Sequence, residues 1–162
     1  MKTDMEQTTD SGKAGRRSKL VVVADLGRFK VYRLDDRPQF SHPQLTLIED
    51  WETEVAHHLS EDVTDQAGRF AKVPTVAGAR SDGEEHHLDL ERQRRATKTL
   101  GKRLNELINP KQVEACYFAA DSRINKAILE GLDQNARNKI QTNVAANLTK
   151  LGTAELLRQF RP

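Results

Sequence analysis

Between residues 84 and 108, Ala96, Leu100, Leu104, Leu107 and Ile108 recur at helical spacing. They occupy about a third of the helical wheel, so a long helix must bury one stripe against an apolar surface. The chain supplies that surface in short runs. Residues 20–24 read LVVVA, and after Asp25, Leu26 and Gly27 an alternation resumes at Phe29, Val31, Tyr32 and Leu34. A β-branched run, a tight turn and a second alternating run predict a β-hairpin. Asp35, Asp36, Arg37 and Pro38 carry the chemistry of another turn. Leu45, Leu47 and Ile48 then lead into Trp51 as the third strand of a meander.

The long helix is expected from about Glu84, capped by Ser81 or Asp82, and stopped at Asn109 and Pro110. Residues 113–120, VEACYFAA, are too short and too rich in strand formers for another helix and are expected as the central strand. Ser122 caps a helix whose apolar face is Ile124, Ala127, Ile128 and Leu132, ended by Gly131 and Asp133. Residues 140–148 fit either strand or helix, and residues 153–160 form a short amphipathic helix. Short turns allow the first three strands to be antiparallel, whereas strands joined through helices are parallel. The expected fold class is therefore α/β, a mixed sheet with helices on both faces.

A chain of 162 residues, 36% apolar, suffices for one ordinary core. The expected organisation is a disordered tail over residues 1–18 and one domain over residues 19–162. Residues 1–18, MKTDMEQTTDSGKAGRRS, lack the apolar stretch of a secretory signal, and no run approaches the roughly 20 apolar residues of a membrane span. A cytoplasmic protein is expected. The single cysteine, Cys116, lies in an apolar run and reads as a buried thiol.

Charge is segregated although the net charge is only +2. From Glu49 to Asp65 there are seven acidic residues and no Lys or Arg, whereas Arg92, Arg94, Arg95, Lys98, Lys102 and Arg103 follow with no acid among them. Residues 54–83 show no stable period, are punctuated by Gly68, Pro74, Gly78 and Gly83, and carry Arg69, Lys72 and Arg80. A long loop feeding a basic helix suits phosphate binding, because each Lys or Arg that neutralises a phosphate releases counterions. The competing reading is a solvated helix face, in which Glu91 pairs with Arg95 and Lys102 with Glu106 at i, i+4 spacing.

The residues resemble the bacterial family of host attachment proteins, named for a requirement in attachment to host cells. Four segments carry the likeness: LVVVADLGRFKVYRL, GEEHHLDLERQRRATKTLGKRLNELI, VEACYFAADSRINKAILEGL and NLTKLGTAELLRQF. Members usually place an acidic residue before Leu-Thr-Lys, where this chain has Asn147, and a proline turn after the central strand, where it has Asp121 and Ser122. The family in turn looks like the middle domain of archaeal and eukaryotic class-one release factors, which implies a ribonuclease H-like fold. In those factors a Gly-Gly-Gln loop precedes a long basic helix and helps position the water that cleaves peptidyl-tRNA. The corresponding passage here, residues 77–83, reads AGARSDG, so that catalysis is not expected.

The resemblance implies a noncatalytic domain that touches ribosome or tRNA through Arg69, Lys72, Arg80 and the basic helix. The family name implies a second reading, an interaction protein with a protein partner that serves attachment indirectly. A third is a metal-dependent nuclease. Asp25 and Asp121, ending two strands, could sit side by side as metal ligands, with Glu84, Glu85, Asp89 or Glu91 as a third. Against it, Asp25 suits a turn and Asp121 a helix start. The pairs His57-His58 and His86-His87 lack the i, i+4 spacing of a helical metal site. No phosphate loop, nucleophile elbow or dinucleotide fingerprint is present, so no cofactor is expected.

Overall fold

The computed structural model describes residues 17–57 and 82–162. The expected tail over residues 1–18 and the expected loop over residues 54–83 therefore fall largely outside the described residues. Three strands open the fold: β1 (Ser18–Ala24), β2 (Arg28–Asp35) and β3 (Gln44–Glu52). The long helix α1 (Asp82–Ile108) leads to β4 (Val113–Ala120) and α2 (Ser122–Glu130). A short α3 (Gln134–Lys139), β5 (Ile140–Val144) and α4 (Thr153–Phe160) complete it.

The five strands lie in the order β3-β2-β1-β4-β5. β1–β2 and β2–β3 pair antiparallel, while β1–β4 and β4–β5 pair parallel. This is the mixed α/β sheet expected, and it is compatible with a ribonuclease H-like fold. One placement differs: β1, not β4, is central. Both read as continuous apolar runs because both have a strand on either side and both faces covered.

The two-residue period of a strand sends alternate side chains to opposite faces. On one face Leu20, Val22 and Ala24 of β1 join Cys116, Phe118 and Ala120 of β4 beneath Leu100, Leu104 and Ile108 of α1 and Ile124 and Ile128 of α2. On the other, Val21 and Val23 join Ala119 beneath Leu156 and Phe160 of α4. The Phe160 ring meets Tyr117 edge-on at 6.1 Å. Burial pushes the Cys116 thiol well above its usual range, so it is a core residue with no thiolate to offer.

Residues 54–57 are helical rather than loop. Thr53, buried, sets their start: its N–H donates to the Gly27 carbonyl at 2.9 Å, its hydroxyl donates to the Leu26 carbonyl, and its own carbonyl accepts from the Ala56 N–H. Asp133 does not simply end α2. It caps the unanticipated α3, accepting from the Ala136 N–H at 2.8 Å, and α3 in turn delivers residues 140–144 as a strand. In β3 the partners step from Val31↔Glu49 to Tyr32↔Leu47, leaving Ile48 as an extra residue. That bulge leaves Leu47 and Ile48 both about half exposed on an edge strand.

Candidate functional site

The packing of α1 sorts its basic residues. Its apolar stripe faces the sheet, and the flank next to β3 brings Arg103 onto Glu49, with Arg103 Nη2 donating to Oε1 at 2.7 Å and Nε to the same oxygen at 2.9 Å. Those bonds, ahead of the charge itself, raise the Arg103 pKa further above its already high value. Glu106 adds a second acid at 3.5 Å. Arg103 thus ties α1 to β3. Arg92 is half-buried and pairs with Asp89 at 3.3 Å, and Arg94 pairs with Glu91 at 3.2 Å while its side chain stays 76% exposed.

The expected i, i+4 pairs do not form. Glu91 goes to Arg94 and Glu106 to Arg103, both at i, i+3; the second pair sits on the flank to which Glu49 already draws Arg103. Arg95, Lys98 and Lys102 are exposed and make no ion pair among the described residues. Residues three and four apart share a helix face, so these three and Arg94 form one outward stripe. Arg69, Lys72 and Arg80 lie outside the described residues.

Beside that stripe, α1 and α2 enclose a groove of about 680 Å³. Leu90, Gly101, Ile124 and Ala127 contribute its apolar surface, and Arg94, Lys98, Lys102 and Arg123 its cations. The Ala127 side chain, expected in the core, is exposed here, while Asn125 takes the buried place and donates to Asn143 Oδ1 at 2.8 Å. Arg123 was not evident from sequence. It stands outside the basic run, and only the packing of α2 against α1 brings it alongside Lys98 and Lys102.

Asp25 and Asp121 are indeed neighbours: β1 and β4 end in register at Ala24↔Ala120, and the Asp121 N–H donates to the Ala24 carbonyl. Each carboxylate is already occupied. Asp25 Oδ1 accepts from the Gly27 and Arg28 N–H groups at 2.7 Å, while Oδ2 accepts from Asn147 Nδ2 at 3.0 Å and the Thr149 hydroxyl at 2.8 Å. Asn147 thereby serves as a donor to Asp25. Lys30 Nζ donates to the Thr149 carbonyl at 2.8 Å and fixes the same segment. Asp121, rather than Ser122, caps α2, accepting from the Arg123 N–H and side chain at 3.0 Å. The side-chain bonds of Arg123, then its N–H, hold the Asp121 pKa below the usual carboxylate range. The stability this contributes is present above the unfolded value of about 4 and is lost as pH falls through the folded one.

Among the described residues no group of three His, Cys, Asp or Glu could hold a metal, so Glu84, Asp89 and Glu91 on α1 complete no such group with Asp25 and Asp121. His86 and His87 are exposed, and His58 lies outside the described residues. Asp25 therefore works as a clip between the β1–β2 turn and the segment before α4. Replacing it with Ala removes the acceptor of two turn N–H groups and of the Asn147 amide, and leaves the Thr149 hydroxyl, only 3% exposed, with Asn147 Oδ1 alone. Asp25→Ala should lose roughly 1–3 kcal/mol in urea unfolding, the scale of hydrogen bonds lost to a charged acceptor; a stability within error of the native chain would contradict the clip.

The fold and site define a mixed α/β domain that displays a basic helix face. The chain belongs to the host attachment family, described as "Protein required for attachment to host cells", whose signature matches residues 20–160. Among solved structures it is similar to an archaeal translation termination factor, with a TM-score of 0.48 and 10% identity over 88% of this chain and 37% of that chain. No curated protein matches it. Among the described residues no helix is long and apolar enough to cross a membrane.

Proposed function

We propose that this chain binds structured RNA, ribosomal or transfer RNA, through the exposed stripe of α1, and that it does so without cleaving RNA or hydrolysing an ester. The observation that carries the reading is the sorting of charge on α1: Arg95, Lys98 and Lys102 face outward without acidic partners among the described residues, while Arg103 is committed to Glu49. Cations left without counter-charges on one rigid face lower their repulsion by meeting a line of phosphates, and the released counterions drive binding. Structured RNA is read largely through backbone and shape, so a cationic helix face suffices without aromatic stacking. Residues 77–83 contain no Gly-Gly-Gln, and Asp25 and Asp121 both hold structural hydrogen bonds, which supports binding without catalysis.

Sedimentation of a cell lysate through sucrose tests it. The protein should comigrate with ribosomes at low salt and shift toward the top at high salt. Confinement to the top at every salt, with no tRNA recovered on the tagged protein, would sink the reading. A second reading, an interaction protein that serves attachment to host cells, is favoured by the family description. It predicts recovery of a protein partner that survives both high salt and ribonuclease.

A further inference from the structure

We infer that the groove between α1 and α2 is a nucleoside phosphate site, taking an unpaired nucleotide of a bound RNA or a free mononucleotide; the RNA arm rests on the reading above. Three features of the groove converge on this ligand. Its volume, about 680 Å³, falls in the usual range of ligand pockets, roughly 300–1,000 Å³. Its cations come from both walls, Arg94, Lys98 and Lys102 from α1 and Arg123 from α2. Glu91 and Asp121 already offset Arg94 and Arg123, so Lys98 and Lys102 supply most of the unspent charge for a phosphate.

Among the mostly apolar lining stand polar side chains, Gln93 and Thr97, that can meet a base edge. Asn105 is committed to the start of α3, its Oδ1 accepting from the Asp133 N–H at 3.1 Å and its amide bonding the Asp133 carboxylate, so it offers the groove little. The Thr97 hydroxyl donates to the Gln93 carbonyl at 2.8 Å, which leaves its lone pairs as acceptors. Gln93 offers donors and an acceptor. Donors and acceptors on one wall match the mixed edge of a nucleobase, and a fatty chain would leave them unpaired.

The test compares a blunt RNA duplex with the same duplex bearing one unpaired 3′ nucleotide, by fluorescence anisotropy, with adenosine monophosphate as competitor. Ala127 is exposed, so Ala127→Trp fills the groove and Ala127→Glu places an acid among its cations without bulk; circular dichroism checks both folds. The overhang should bind the native chain about tenfold tighter than the blunt duplex, the scale of filling one pocket, and both variants should cancel that gain. Blunt-duplex affinity should stay within about twofold in Ala127→Trp, since that contact is with the α1 stripe. Competition by the monophosphate assigns the site to free nucleotides as well, and lack of competition assigns it to RNA ends alone. Equal affinity for both duplexes without monophosphate binding, or a gain that persists in both variants, overturns the inference. Monophosphate binding lost in Ala127→Trp, with no duplex bound at all, would keep the groove and sink the RNA reading instead.

Discussion

Reversing Lys98 and Lys102 together, as Lys98→Glu with Lys102→Glu, should weaken binding to a structured RNA by about a hundredfold at low salt while leaving the fold intact. Both side chains are exposed and neither holds an ion pair among the described residues, so their loss orphans nothing inside the protein. Each reversal removes one phosphate contact and adds a repulsive carboxylate, and contacts of this kind contribute on the order of 1 kcal/mol apiece at low salt. Arg103→Glu is the instructive control. It sets a carboxylate against Glu49 and Glu106, so it should loosen α1 from β3 and lower stability rather than weaken RNA binding alone. Filter binding with a melting curve for each variant separates the two effects. Equal losses of affinity from both changes, with both folds intact, would mean that the basic run acts as one undifferentiated cloud.

Phe118→Ala should remove about 3–5 kcal/mol of unfolding free energy, since the ring is fully buried where β4 meets the helices and truncation leaves a cavity as well as lost burial. Typical domains have only about 5–15 kcal/mol to lose, so the variant should be partly unfolded at 37 °C. The alternation of β4 makes the neighbouring position a contrast. Tyr117 lies on the opposite face, partly exposed, against Phe160. Tyr117→Ala should therefore cost less than Phe118→Ala in guanidinium unfolding; the reverse order would contradict the assignment of faces.

The elements with strong periodicity were legible in the chain itself. The hairpin of β1 and β2, the strand β4 and the stripe Ala96, Leu100, Leu104 and Ile108 lie where alternation and helical spacing put them, because burial on one or two faces imposes those periods. Sheet order was less legible. β1 and β4 are both fully flanked, and an apolar run does not say which of two such strands is central. The short α3 has polar residues on most of its surface, QNARNK, with only Ala136 buried, so no apolar stripe marks it. Its signal was Asp133, a helix cap that reads equally as a helix stop.

Of the candidate site, the basic run was visible and its division was not. Which arginine meets which acid depends on Glu49, more than fifty positions earlier in the chain, and β3 brings it to Arg103 only through the sheet. The partnering of Glu91 with Arg94 rather than Arg95 likewise follows from side-chain directions that spacing alone leaves open. Arg123 and the groove arise from two helices packing side by side, and no single stretch of sequence encodes that.

The salt dependence of RNA affinity probes the exposed stripe most directly, because it counts phosphates neutralised rather than contacts supposed. For the native chain on a duplex, log Kobs against log salt should fall with a slope of roughly −3 to −4, as four cations imply, and Lys98→Glu with Lys102→Glu should flatten it by about 2. A native slope near zero, or one the double reversal leaves unchanged, would show that this face of α1 does not bind RNA.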